Sequence, residues 1–465
     1  MKTTVATTLV VSVALTLGAA SANAANSASG ADKTTGRMIG VNVVLKQGVT
    51  DKILADISKY GTVRDVVYEI DALTLKAREA DLPTIQGLPY VAAANPDAER
   101  DGAPVDSVAA TNFTDGINTW DLDAINVTNY GTNARQVPYD GSGVYVAIVD
   151  TGLLDSWRQY FPEQRIATQF GIAFGGGGGE VGNVSSQPNK WEHDQDSHGT
   201  HVTSTVLGYN IPGLPVNGVA PMATVIPVKV LNQNGSGWSS VVARGITYVA
   251  DLKINGALGD HPVVINMSLG GPVLDAMEKA AIDYATAHGV IIVASAGNSG
   301  EGGMGYPGAY APVISVAASG WVGEWTAPSW WRTLDVPDPT NPDDYYIADF
   351  SARELNGQDL DVAAPGTWVV GPYQTNSGTN QLSYYYLGGT SMASPHVAGI
   401  AALMMQKDPS LTQSDVEGIL ESSAIPMGAG CKDILSPSGP EHVCWGTNAT
   451  GHGLATANAA LAATP

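Results

Sequence analysis

Residues 388–399 read GGTSMASPHVAG, and the group there that could do chemistry is the hydroxyl of Ser391. Val397, Ile400, Ala401 and Met404 recur at helical spacing, which predicts a buried helix over Ser391–Gln406. Pro395 is expected in its first turn, where backbone N–H groups have no intrahelical partner, so Ser391 falls at or just before a helix N-terminus. A serine in that place is ordinarily an N-cap. It becomes a nucleophile only if a base takes its proton, and histidine does this well when a carboxylate fixes its tautomer and stabilises the imidazolium. Two other stretches offer those groups. The apolar run VYVAIV ends in Asp150, and His198 opens the predicted helix SHGTHVTSTVLG. A tetrahedral intermediate also needs donors for its negative oxygen. The Ser391 N–H is one candidate and the side-chain amide of Asn298, in ASAGNSG, is the other.

Each residue has a plainer reading. Asp150 after an apolar strand can be a turn or cap residue. His198 and His201 lie on one side of a helix, but a HEXXH zinc motif is absent. A metal-dependent hydrolase built on His193, Asp194, Asp196 and His198 remains a rival, as does an inactive binding protein of the same fold.

The elements that must position these groups follow from periodicity. Runs apolar on both faces, at Val144–Val149, Val225–Leu231, Pro262–Ser268, Val290–Ala294, Val313–Ala317 and Leu360–Ala364, suit strands covered on both sides. Between them helices are predicted at His198–Leu207, Ser239–Ile254, Pro272–His288, Ser391–Gln406 and Ser414–Ser422. That alternation argues an α/β, doubly wound, mainly parallel sheet flanked by helices, with active residues at the carboxyl ends of strands. The glycine run Phe174–Gly182 reads as a flexible surface loop, since it lacks the lysine and following helix of a phosphate cradle. Trp321–Tyr346 reads as an irregular inserted loop that either frames the cleft or covers core.

Upstream lies a smaller unit. Strands at Met38–Leu45, Val63–Ile70, Ala72–Ala77 and Tyr90–Ala94, with helices at Asp51–Tyr60 and Glu79–Gln86, predict a small α+β domain of βαββαβ order. The acidic segment from Asn95 to about Asp115 reads as an exposed, cleavable linker. Residues 1–24 combine Lys2, a short apolar run from Val5 to Leu17 and a small-residue site ending at Ala24, the pattern of a secretory signal peptide. Secretion, with no membrane anchor, is therefore expected. In that compartment Cys431 and Cys444, the only cysteines, are expected to close a disulfide. The net charge of −22, from 44 acidic and 22 basic residues, argues against a nucleic-acid partner.

The motifs VAIVDTG, HGTHV, NMSLGGP, ASAGN, YPGAY and GTSMASPHVAG, in this order, resemble those of the subtilisin-like serine proteases, the subtilases. The resemblance runs from about Trp120 to about Gln406, with a looser tail to Leu461. It implies that Asp150 orients His198, that His198 is general base and then acid, that Ser391 is the nucleophile and that Asn298 lines the oxyanion hole. It further implies that Gly235, Gly237, Ser268, Leu269 and Gly270 form two edges between which a protein or peptide substrate adds as a strand. Ala296, Gly297 and Gly305 match the small residues that leave the primary specificity pocket open, which implies a preference for large apolar residues before the cut. Residues 25–105 are similar to a folding-assisting propeptide that inhibits its own enzyme, leaving 106–465 as a monomeric catalytic domain.

Two departures stand out. Ser204 occupies a position where many relatives have glycine and is expected to crowd its helix. Asn210–Val216, with Pro212 and Pro215, occupies the place of a common calcium loop but offers few oxygens. No cofactor is needed for the chemistry. Structural calcium elsewhere is compatible with an acidic secreted protein, though no ligands can be named.

Overall fold

The computed structural model describes residues 36–111, 118–128, 134–211, 214–328, 330–334, 336–375 and 383–465. The signal-peptide segment 1–24 lies outside these. Strands that are apolar on both faces build the large sheet, as the run lengths require. Its order is Tyr345–Ile347, Ile314–Trp321, Val290–Ser295, Val263–Met267, Tyr145–Asp150, Thr224–Lys229, Ile172–Gly177 and Glu180–Ser185, with Val362–Pro365 also paired to Ile314–Trp321. The inner pairings are parallel, and only the two outermost pairings are antiparallel. Side chains alternate between two cores. Val146, Ile148, Val264 and Val293 face the helices His198–Leu207 and Thr390–Lys407, while Ala147, Val149, Ile265 and Ile292 face Ser239–Ile254 and Ala276–Ala287.

The helix that follows the central motif runs Thr390–Lys407, and Pro395 sits inside it rather than in its first turn. A proline there removes the N–H that would bond the carbonyl of Ser391. The Ser268 hydroxyl donates to that carbonyl instead, at 2.7 Å. The proline is tolerated because a neighbouring side chain replaces the lost bond.

Other expectations change shape. The glycine run is no loose loop. Ile172–Gly177 and Glu180–Ser185 form a hairpin at the sheet edge, in which Gly176, Gly177, Gly178 and Gly179 all have positive φ. An added Cβ at Gly178 would lie 2.5 Å from the Trp238 ring, so the bare backbone packs where side chains would not fit. The Trp321–Tyr346 segment covers core. Trp321 and Trp330 lie against Trp120, and Trp325 and Trp330 pack on Tyr386. Inside it Glu324 is buried, accepting from Trp321 N, Thr367 Oγ1 and Tyr346 Oη. Ser204 does not crowd its helix. Its hydroxyl donates to His201 O at 2.6 Å, and the facing residue is Gly371, where a Cβ would come within 2.5 Å of Ser204 Oγ. The described parts of Asn210–Val216 belong to a small hairpin, Tyr209–Ile211 with Leu214–Val216. Cys431 and Cys444 are cross-strand partners in the hairpin Gly430–Ser436 and Gly439–Trp445, and they form a disulfide.

The N-terminal unit is a four-stranded antiparallel sheet in the order Gly61–Val67, Ala72–Arg78, Met38–Leu45, Val91–Pro96, with its own core of Val41, Val43, Ile57, Leu73 and Leu75. It lies against the helices Ser239–Ile254 and Ala276–Ala287. Asp97 accepts from Ser239 Oγ and from Ser240 N and Oγ, while Asp275 accepts from both Asn42 and Asn95. The segment beyond it keeps alternate residues exposed but is not a free linker, and residues 112–115 of that stretch lie outside the described ones. Glu99–Asp101 and Asp106–Ala109 are strands paired with Ser236–Trp238 and Tyr384–Gly388. Free main-chain donors and acceptors on those two edges account for the change, because an acidic, turn-rich sequence can still pair through its backbone.

Candidate active site

Asp150 ends the strand Tyr145–Asp150, and His198 is the first residue of its helix after Ser197, which has φ 74°. His198 Nδ1 lies 2.9 and 3.0 Å from the two carboxylate oxygens of Asp150, and both side chains are wholly buried. Asp150 Oδ1 also accepts from Thr151 N at 2.6 Å, which holds the carboxylate still. Burial works against a charged His198, but the carboxylates of Asp150, Asp196 and Asp194 outweigh it and leave the imidazole above its ordinary pKa. Asp194, itself buried, is pushed up to about 7 by desolvation.

Ser391 lies in the first turn of the Thr390–Lys407 helix. Its hydroxyl donates to Ser268 O at 3.1 Å, while His198 Nε2 is buried without a hydrogen-bond partner among the described residues. The side-chain oxygen of Asn298 accepts from Thr390 N (2.9 Å) and Thr390 Oγ1 (2.8 Å), which turns its amide nitrogen away from Thr390. A Cβ built on Gly389 would stand 3.7 Å from both Asn298 Nδ2 and Ser391 N, so these donors flank one point. Asn298, Ser391, Thr390, Gly297, Gly305 and Met304 line a hollow of about 480 Å³.

The chain's own residues 99–109 run through this cleft. Gly270 and Asp101 exchange both backbone hydrogen bonds at 2.9 Å, Gly102 N donates to Gly235 O at 3.0 Å, and Gly237 pairs with Arg100. A Cβ on Gly102 would sit 3.4 Å from His198 Cε1 and 3.1 Å from Ser268 O. On the far side, Val105 N donates to Gly388 O at 2.8 Å. Ala103 and Pro104 span the gap between these two anchored points, and Ala103 lines the hollow together with Ser391.

Most residues singled out from sequence meet here. Gly235, Gly237 and Gly270 touch the docked segment, and Gly297 and Gly305 line the hollow. Ser268 supports Ser391 from below. Leu269 and Ala296 are buried behind the edges, and Ala296 O accepts from Gly305 N. The set His193, Asp194, Asp196 and His198 is not gathered as metal ligands. His193 is exposed, His198 Nδ1 is taken by Asp150, and Asp194 Oδ2 accepts from Thr151 Oγ1. Thr151, whose N–H holds the adjoining Asp150, and Thr390, which holds Asn298, escaped sequence reasoning. Glu278, which reaches the docked segment through Arg100, also escaped it. It carried no signal, because an acid in the first turn of a helix reads as a solvated one.

A doubly wound sheet with Asp150 ending a strand and His198 and Ser391 opening two helices has the architecture of the subtilisin-like fold. Residues 141–460 match the Subtilase family, and the chain belongs to it; it is a serine-type endopeptidase. It is 37% identical over 295 residues to Subtilisin DY of Bacillus licheniformis, covering 62% of this chain and 86% of the relative. It is 35% identical over 321 residues to Subtilisin Savinase of Lederbergia lenta, covering 69% and 91%. In fold it is similar to fervidolysin from Fervidobacterium pennivorans, with a TM-score of 0.63 at 24% identity. That likeness covers 93% of this chain and 62% of fervidolysin.

Proposed function

We propose that this endopeptidase works through Asp150, His198 and Ser391, and that it is secreted as a precursor which cuts off its own N-terminal domain. Ser391 Oγ attacks a peptide carbonyl while His198 Nε2 takes its proton, and Asp150 stabilises the imidazolium. The resulting oxyanion accepts from Asn298 Nδ2 and Ser391 N–H. His198 then protonates the leaving amine, and water releases the acyl group from Ser391 by the reverse path. The observation that carries this reading is the buried Asp150–His198 pair beside a chain segment held as an antiparallel strand across Ser391.

For reactivity the Ser391 hydroxyl has to leave Ser268 O and turn to the unpartnered His198 Nε2. Main-chain pairing to Gly235 and Gly270 supports tolerance of many sequences, and the hollow beyond Gly297 and Gly305 supports a large apolar residue before the cut. Release from the cell rests on the signal-peptide pattern of residues 1–24. Among the described residues no helix is long and apolar enough to cross a membrane. The test is labelling with a serine-directed phosphonyl fluoride, together with the mass of the secreted chain. Wild type should be labelled at Ser391 and lack the N-terminal domain, whereas Ser391→Ala should keep it. A pure Ser391→Ala protein that still loses the domain would refute self-processing.

A further inference from the structure

Arg100 is the one charged side chain of the docked segment that is fully enclosed. It lies three residues before Ala103, between the strand Ser236–Trp238 and Gly271. Arg100 Nε donates to Glu278 Oε1 at 3.0 Å and Nη2 to Glu278 Oε2 at 2.5 Å, a two-pronged pair with both side chains at zero exposure. Its other prongs are met as well: Nη2 donates to Val273 O at 3.1 Å and Nη1 to Glu99 O at 2.9 Å. Gly271 makes the room, since a Cβ there would stand 2.9 Å from Nη1.

Glu278 and Val273 belong to the catalytic portion and stay when the N-terminal domain leaves. Glu278 then keeps a carboxylate in a slot shaped for a planar cation, with Asp275 beside it as a second negative charge. Arg100 itself completes the burial of that carboxylate, so its departure opens the slot, and a guanidinium, with its fixed fork of donors, is the group that restores both bonds. From this geometry we infer that Glu278 is a specificity-determining residue, and that the mature enzyme selects substrates with arginine at the fourth position before the cut. The inference rests on the peptidase reading above and refines its specificity, with main-chain bonding leaving the neighbouring positions permissive.

The experiment uses mature enzyme and quenched fluorescent peptides Glu-Xaa-Asp-Gly-Phe-Ser-Val, identical except that Xaa is Arg, Lys, Leu or Glu. The arginine peptide should exceed the leucine peptide in kcat/KM by about 30–100-fold, mostly through KM, with lysine between and glutamate last. Lysine falls short because its single ammonium cannot span both oxygens. In Glu278→Leu made together with Arg100→Leu, which keeps the precursor's interface complementary for folding, the Arg-to-Leu ratio should fall to one or below. A wild-type ratio under about threefold, or an arginine preference that survives the double substitution, overturns the inference while phosphonyl labelling of Ser391 keeps the peptidase reading intact. Absence of both labelling and cleavage overturns the peptidase reading and the inference with it.

Discussion

Replacing Ser268 by alanine should loosen the seat of the nucleophile, by an amount set by three named bonds. Pro395 cannot supply an N–H to the Ser391 carbonyl, so the Ser268 hydroxyl is that carbonyl's donor at 2.7 Å. The same hydroxyl accepts from Asn266 Nδ2 at 3.0 Å, and Asn266 in turn accepts from Ser394 Oγ at 2.7 Å. All four residues are buried. Ser268→Ala therefore strands a buried carbonyl and a buried amide, each worth about 1–3 kcal/mol when left unpaired. With partial relaxation a loss of about 2 kcal/mol is expected, which is roughly a 30-fold faster unfolding rate if the bonds are broken at the transition state. The assay is unfolding in guanidinium, followed by tryptophan fluorescence on protein blocked at Ser391 so that self-digestion does not contribute. The decisive comparison is the Pro395→Ala background, where a new N–H at position 395 faces the Ser391 carbonyl in ordinary helical geometry. There the cost of Ser268→Ala should drop by about 1 kcal/mol or more. Equal costs in the two backgrounds would refute the idea that Ser268 substitutes for the hydrogen bond that proline removes.

Other consequences of the site are open to measurement. Asn298→Ala should lower kcat by about 10²–10³ with little change in KM, a magnitude carried over from the known loss of the equivalent donor in a subtilisin. Thermal unfolding should show the fold intact. His198 must be neutral to accept a proton, and its pKa lies above the ordinary 6.5, so kcat/KM should rise with pH through a midpoint above 6.5. Asp196→Asn should move that midpoint to lower pH, because Asp196 is one of the charges that raise it; an unmoved limb would count against the assignment. Glu324, buried among the inserted aromatics, is pushed up from 4.5 to about 8 by desolvation. The folded protein then binds a proton that the unfolded chain has released, so this group's contribution to stability falls as pH rises from about 4.5 to 8. Glu324→Gln should flatten that part of the stability profile in urea melts at a series of pH values.

The motifs that supply the candidate site were legible without coordinates because they are local. An aspartate ending a two-faced apolar strand, a histidine opening a helix and a serine in a glycine-loosened turn each leave a signature within a dozen residues. The doubly wound sheet was equally legible, since covering both faces of a strand removes the polar alternation. Tertiary structure decided everything that depends on what faces what. Nothing local in Phe174–Gly182 reveals that its bare backbone will pack against Trp238 as a hairpin. Nor do residues 99–109 announce that two open sheet edges will hold them through their main chain. Ser204 looked crowded until Gly371 appeared opposite, and Pro395, expected in a first turn, lies inside the helix where Ser268 supplies the missing donor. Arg100 and Glu278, separated by 178 positions, read as solvated charges. Their burial against each other is a fact of three-dimensional packing, because the electrostatic worth of a charge depends on its partner and on the water excluded around it, and sequence encodes neither directly.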